Sequence, residues 1–350
     1  MARIFQEMGG SGRRCATISH TSQTTRCMGH PLRVPGPEMV VAIQTLNPLR
    51  WPIATIERNP ANRLTTMPKT AILLINCPDR KGLVAAIANF LLQHDANILH
   101  ADQHQDNALG LFFMRIEFAL EQAEVDEGAF RRDFAVLAES LQMRWRLEYA
   151  DRKPKVALLV SQYMHCIADL LQRYKSGELR CEIAVIISNH PDAEALAGFY
   201  GIPFRLIEVN RQNKQQAEAE QIALIEEYGV ELIVLARYMQ ILSPEFCRRY
   251  PLRIINVHHS FLPAFVGAKP YHAAFARGVK LIGSTSHYVT EVLDDGPIIE
   301  QDVTRISHTD ELDDLIQKGR DLERLVLSRA VRWHLERRIL AYANKTVIFG

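Results

Sequence analysis

Asn256 and His258 stand two residues apart in the run Ile-Ile-Asn-Val-His, and Asp294 and Asp295 follow further on, just before Gly296-Pro297. Residues 253–257 are short, β-branched and apolar enough for a buried strand, and strand side chains alternate, so Asn256 and His258 leave the same face. Gly296-Pro297 is a turn signal that sets the two aspartates on a loop, where a rigid scaffold commonly carries its chemistry. An amide can donate to a developing oxyanion. An imidazole can move a proton, and a nearby carboxylate can fix its protonation state or activate water. The set suits acyl transfer. On residue types alone a structural alternative stays open, in which Asn256 bonds local backbone, His258 and His259 line a turn and Asp294 merely shapes one.

The elements that must position these groups follow from periodicity. Short apolar runs at 156–160, 183–187, 204–209 and 232–235 alternate with helical patterns at 166–174, 193–199 and 214–228. Buried strands alternating with helices describe a doubly wound, mostly parallel Rossmann-like α/β sheet, whose sites lie beyond the carboxyl ends of the strands. Residues 281–288 and 297–303 read as two further strands that bring His287 and Asp294 back beside Asn256 and His258. Ser243 and Pro244 start a helix as N-cap and first residue. Thr309 is placed to cap a long helix from Glu311 to about Leu340, its charges forming a solvated face, with 345–349 adding an edge strand.

Upstream of a polar linker at 150–154 lies a different pattern: strand 71–76, turn, helix 83–93, a hairpin of 97–105 and 109–118 around Asp106-Asn107, helix 124–141 and strand 143–149. The order β-α-β-β-α-β gives a ferredoxin-like α+β sandwich, four antiparallel strands with two helices on one face. Asp79 and Gly82 sit at the first strand-to-helix turn. Glycine there permits close backbone approach to free N–H groups that can hold a carboxylate, and the alternative is that the two residues only build the turn.

Residues 1–68 carry scattered Gly, Ser, Pro and Arg without a sustained period. They read as a disordered extension or as sequence upstream of a start at Met67; Gly9-Gly10-Ser11-Gly12 and the prolines argue against an organellar presequence. The division expected is therefore 1–68, then 69–150, then 155–350. With 41 basic and 40 acidic residues the formal charge is +1, which gives no broad electrostatic case for nucleic acid or an anionic membrane. Six cysteines in a chain of 350 residues show no Cys-x-x-Cys spacing, so reduced thiols in a cytoplasmic protein are expected, with neither disulfide framework nor metal site. No apolar run reaches the roughly 18 residues of a membrane-spanning helix.

Asn-x-His-x-Ser-x-Leu-Pro, then Gly-Ser-Thr-Ser-His-Tyr-Val with His287, then Leu-Asp-Asp-Gly-Pro-Ile-Ile resembles the folate-dependent formyltransferase family in order and spacing. Phe-Val-Gly-Ala-Lys-Pro-Tyr-His and the C-terminal Lys-Gly-Arg-Asp-Leu-Glu-Arg look most like its formyltetrahydrofolate deformylase branch, over roughly residue 70 to the end. Cys-Pro-Asp-Arg-Lys-Gly-Leu-Val resembles the ACT domain, a module that often binds amino acids and dimerises. The resemblance implies catalytic roles for Asn256, His258 and Asp294, support from His287, and a pterin slot lined by Met239, Gln240, Ile241 and Leu242. It implies 10-formyltetrahydrofolate and water as reactants, no cofactor or metal, an amino-acid effector near Asp79 and Gly82, and a homo-oligomer. Ser-Gln-Tyr-Met-His-Cys at 161–166 stands where glycinamide ribonucleotide formyltransferases carry a glycine-rich phosphate cradle. It has no glycine, which disfavours a phosphorylated acceptor and favours water over an amine. His165 and Cys166 there read as an ordinary helix-start histidine and a packed thiol. Two rivals are weighed: a formyltransferase using the same three residues, and a non-catalytic folate or amino-acid sensor.

Overall fold

A computed structural model describes residues 70–120, 127–263 and 270–350. The N-terminal extension, the first residues of the helix expected from Glu124, and 264–269 lie outside the described residues.

The first sheet contains β1 (Thr70–Pro78), β2 (Ala96–Asp106), β3 (Leu111–Leu120) and β4 (Arg144–Tyr149), in the order β2-β3-β1-β4 and antiparallel throughout. Helices α1 (Leu83–Gln93) and α2 (Glu127–Ser140) complete the expected ferredoxin-like order. Alternation along β1 sends Leu73, Ile75 and Cys77 toward Ile87, Phe90, Phe130 and Phe134 of the two helices. Ile72 and Leu74 face the other way and are buried as well, which explains why residues 71–75 are apolar without a break. The β2–β3 turn is longer than Asp106-Asn107: the Asp106 carboxylate accepts from the N–H groups of Ala108 and Leu109, and Gly110 adopts φ 62° before β3 begins.

The second sheet has seven strands: β5 (Lys155–Val160), β6 (Glu182–Ser188), β7 (Phe204–Leu206), β8 (Leu232–Ala236), β9 (Ile254–His258), β10 (Leu281–Tyr288) and β11 (Ile298–Arg305), ordered β11-β10-β9-β8-β5-β6-β7. From β9 through β7 the neighbours are parallel; β10 and β11 close the other edge antiparallel. Val156, Leu158 and Val160 pack beneath α3 (His165–Lys175), α4 (Glu194–Tyr200) and α8 (Leu312–Leu335), whereas Ala157 and Leu159 pack against α5 (Lys214–Glu227) and α6 (Pro244–Arg249). Burial on both faces accounts for the unbroken apolar strands. α7 (Pro270–Arg277) lies between β9 and β10 in the chain. The strand order turns back between β5 and β8, so their carboxyl ends open a crevice there.

The C-terminal region departs from expectation. α8 is capped at Glu311, whose N–H donates to Asp314 at 2.9 Å; Thr309 belongs instead to a 307–310 turn in which its own N–H donates to Ser307. The helix stops at Leu335, because Arg337 turns left-handed at φ 57° and the chain enters β12 (Ile339–Tyr342) and β13 (Lys345–Ile348). These strands form their own hairpin and add no edge to either large sheet. Leu340, Val347 and Phe349 cover the Ile72, Leu74 and Phe113 face of the first sheet, and Phe113 stacks on Tyr342 at 4.4 Å. Nor is the α8 charge pattern wholly solvated, since Glu323 is buried.

Polar groups seal the same junction. Arg115 Nε donates to the Arg337 carbonyl at 3.1 Å, Arg337 pairs with Glu148 at 3.4 Å, and the Tyr288 hydroxyl is hydrogen-bonded to His334 Nδ1 at 2.7 Å. Burial first, then the charges of Arg146, Arg337 and Arg253, lower the His334 pKa to about 3, so the ring is neutral in the fold. The unfolded chain takes up that proton near the ordinary histidine value, so stability falls on acidification between pH ~6.5 and the folded value, by at most about 1.4 kcal/mol per pH unit for this ring. His334→Gln, which keeps an acceptor for Tyr288, should therefore flatten the decline of the urea midpoint between pH 7 and 5. An unchanged slope would show that His334 does not drive it.

Candidate active site

The antiparallel register of β9 on β10 sets the site. It places His287 directly opposite Asn256 and Thr285 opposite His258, so that Asn256, His258 and His287 share one face at the end of the strand pair. Asn256 Nδ2 lies 3.3 Å from His287 Nε2, and the other His287 nitrogen, Nδ1, is 2.9 Å from the Tyr288 carbonyl. A carbonyl only accepts, so Nδ1 carries hydrogen, and in the neutral ring Nε2 takes one amide hydrogen of Asn256. The second amide hydrogen is thereby aimed.

Asp294 comes in from the β10–β11 loop, where its φ of 55° is a left-handed conformation that aspartate tolerates. Its Oδ2 is 3.1 Å from His258 Nδ1 and its Oδ1 3.6 Å from His287 Nε2. Burial alone would raise this carboxyl, but the hydrogen bond from His258 and the facing His287 ring hold it well below the usual carboxylate range. It is ionised. His258 is buried, and with Nδ1 directed at Asp294 its Nε2 has no hydrogen-bond partner among the described residues. A ring that is protonated toward a carboxylate and bare on the opposite nitrogen is built to accept a proton.

Local bonds hold this geometry. Ser284 Oγ donates to the His258 carbonyl at 3.0 Å and Thr285 Oγ1 to the Ser260 carbonyl at 2.9 Å, tying the segment after β9 to β10. The Asp294 loop is held from the far end of the chain, where Asn344 Nδ2 donates to the Asp295 carbonyl at 2.7 Å and Thr346 Oγ1 to the Ile298 carbonyl at 2.6 Å.

The remaining expected residues are spread more widely. Met239 to Leu242 form the turn after β8, next to β9 in the sheet; Met239 and Ile241 are exposed, Gln240 is half-buried, and Leu242 packs into the core beside Tyr238 and Phe246. Met239 has φ 59° and its neighbour Arg237 φ 63°, a tightly wound backbone at the carboxyl end of β8. Asp79 and Gly82 belong to the first sheet and border a cavity of about 500 Å³ with Gln103, His104 and Gln105, and Gln105 donates to the Asp79 carboxylate.

Residue-type reasoning missed a polar cluster beside the trio. Glu323 of α8 accepts from Tyr271 Oη at 2.6 Å, lies 2.7 Å from His165 Nε2 and is paired with Arg237 Nε at 3.3 Å. Burial would raise Glu323, but His165, Arg237 and Tyr271 hold it below its ordinary value. His165 is therefore not an ordinary helix-start residue, whereas Cys166 is the packed thiol expected, its pKa pushed well up by burial. His165, Cys166 and Glu323 place donor atoms within 4.8 Å of one another. Arg237 already supplies the cation to Glu323 and the thiol stays protonated, so the chemistry of the set is that of an ion-pair network rather than a metal centre. One signal in the sequence could have found it: Glu323 falls on the apolar stripe of Leu315, Gly319, Leu322 and Val326, where a carboxylate needs a partner.

Comparison with known proteins adds to this geometry. The formyl transferase family model matches residues 154–331 and the ACT domain model residues 71–133. A formyltetrahydrofolate deformylase of Synechocystis sp. is 53% identical over 281 residues, covering 80% of this chain and 99% of the relative. One from Bacillus subtilis is 48% identical over 279 residues, covering 79% of this chain and 93% of its own. The crystal structure of a formyltetrahydrofolate deformylase from Pseudomonas syringae pv. tomato superposes with a TM-score of 0.78 at 49% identity, covering 81% and 95% of the two chains.

Gly296 lies two residues after Asp294, buried, and a Cβ there would sit 1.7 Å from the Tyr288 carbonyl oxygen. Gly296→Ala should force the loop outward, lower unfolding free energy by about 3 kcal/mol and break the His258–Asp294 contact. Denaturant unfolding together with a structure of the variant checks this; an unshifted midpoint would mean that the loop yields freely.

Proposed function

The chain belongs to the formyltetrahydrofolate deformylase family, and on that premise we propose that Asn256, His258 and Asp294 carry its reaction. That reaction is the hydrolysis of 10-formyltetrahydrofolate to tetrahydrofolate and formate, a step that balances one-carbon folate pools and supplies formate for purine synthesis. The observation that carries the assignment of roles is the contact of His258 Nδ1 with an ionised Asp294 while His258 Nε2 has no partner among the described residues.

The water oxygen bonds to the formyl carbon as its proton passes to His258 Nε2. Asp294, with its carboxylate engaged by two imidazoles, is a poor base and instead stabilises the imidazolium that forms. Asn256 donates its free amide hydrogen to the formyl oxygen as negative charge develops there, worth about 3 kcal/mol for one such donor. His287 orients that amide. The bond from the formyl carbon to the folate nitrogen then breaks, His258 returns its proton to that nitrogen, and formate leaves. No step calls for a metal or redox group. The folate is substrate, and the turn at Met239, Gln240, Ile241 and Leu242 is the pterin slot, through the backbone at Leu242 and through side chains at Met239 and Ile241.

Residues 69–150 form the ACT-like regulatory and oligomerisation part and 155–350 the catalytic part. An amino-acid effector fits the cavity at Asp79 and Gly82, where the first turn of α1 offers backbone N–H groups. The enzyme is read as a homo-oligomer in the cytoplasm. Among the described residues no helix is long and apolar enough to cross a membrane.

The experiment is formate release from 10-formyltetrahydrofolate with no amine present. The protein should release it, and Asp294→Asn should bind folate normally while kcat falls about a thousandfold or more. Full turnover in that variant would remove Asp294 from the mechanism.

A further inference from the structure

The cluster of Arg237, Glu323, His165 and Tyr271 takes no part in the hydrolytic steps, yet it abuts them. His259 stands between the two groups: its ring is 5.1 Å from that of His258 and 6.1 Å from that of Tyr271. Its charge environment includes Arg237 and Glu323 on one side and His258 and Asp294 on the other, and burial with Arg237 keeps it neutral.

Four parts of the fold contribute to the cluster, Tyr271 coming from α7. His165 opens α3 just after the glycine-free turn at the end of β5, Arg237 follows β8, and Glu323 projects from α8. They meet at the crevice where the strand order turns back, on the side where related transferases would cradle the phosphate of an acceptor. Both Glu323 oxygens are engaged, the Arg237 guanidinium lies 4.9 Å over the Tyr163 ring, and burial with Glu323 keeps the Tyr271 hydroxyl protonated. The backbone is shaped to admit this. Arg237 takes φ 63°, and a Cβ at Gly319 would lie 2.2 Å from the Tyr271 ring, so glycine at that turn of α8 lets Tyr271 reach Glu323 one turn later.

We infer that this cluster selects the acceptor: it fills the side of the site from which an amine would approach, and leaves water as the nucleophile that fits. The inference rests on the hydrolase reading. In the transfer it prevents, an amine nitrogen would bond to the formyl carbon as the bond from that carbon to the folate nitrogen breaks, the amine proton passing through His258 to the folate nitrogen. Hydrolysis differs in that the water oxygen makes the new bond. A protonated amine meets the Arg237 cation, and a neutral one finds no free acceptor on Glu323; discrimination by filled space and like charge needs no contact with the correct substrate.

The test uses the full chain with 10-formyltetrahydrofolate and glycinamide, a small primary amine, reading formate and formylglycinamide together by mass spectrometry. Wild type should give formate alone. Arg237→Gly suits the left-handed backbone and empties the most space, and it should give formylglycinamide at least about tenfold above the detection limit. Glu323→Gln keeps the volume and should stay like wild type in this ratio. Melting temperatures identify any unfolded variant, and Tyr271→Ala serves as a second opening from the opposite side. Formylglycinamide from wild type, or none from either folded opening variant, would overturn the inference. Wild-type formate release without glycinamide reports on the hydrolase reading separately.

Discussion

A single carboxylate facing two imidazoles organises the candidate site of this molecule. Asp294 is buried enough that, unpaired, it would sooner take up a proton than hold a charge. It is ionised because His258 and His287 both face it. That arrangement demands that β9 and β10 run antiparallel in one register, since a slip of one residue would turn His287 to the opposite face and leave Asp294 with one partner. It demands a left-handed loop, and a glycine two residues later that can lie against the Tyr288 carbonyl. The unpartnered Nε2 of His258 is a consequence of these constraints more than of the histidine itself.

The C-terminal hairpin ties this loop to the first sheet. Its apolar face is pressed on Ile72, Leu74 and Phe113, while Asn344 and Thr346 bond the Asp295 and Ile298 carbonyls of the Asp294 loop. Tyr342 reaches the β2–β3 turn at Asp106 as well. The ACT-like sheet therefore has its two faces covered by different partners, its own helices and the end of the chain. The apolar area hidden by Leu340, Val347 and Phe349 is worth several kcal/mol by ordinary transfer values, so the hairpin is held firmly against the sheet. Exposed surface is left at the β1–α1 turn and along β2.

Hydrolysis and formyl transfer share one electrophile and one proton path, so what separates them is the volume and charge next to the formyl carbon. The buried Arg237–Glu323 pair is costly to desolvate and adds little net stability relative to an apolar filling of the same shape.

Much of this was legible in the residues themselves. Strand and helix periods are local, so β-α-β-β-α-β, the alternating parallel sheet and the bounds of α1 and β10 could be read directly, and the wording around Asn256, His258, His287 and Asp294 singled out residues that the structure brings together. The misses share a cause. Thr309 was a valid capping residue, but Asp310 and Ser307 drew it into a turn; β12 and β13 looked like a helix end and an edge strand because their partner, the first sheet, lies more than two hundred residues away. Glu323 resembled the other charges of α8 until Tyr271, His165 and Arg237 were placed around it. Sequence alone determined the elements and the reactive groups, because backbone periodicity and residue chemistry depend on near neighbours. Tertiary structure decided which loops meet, which charges are buried and which nitrogen of His258 is free, because those depend on contacts between residues that the chain order keeps apart.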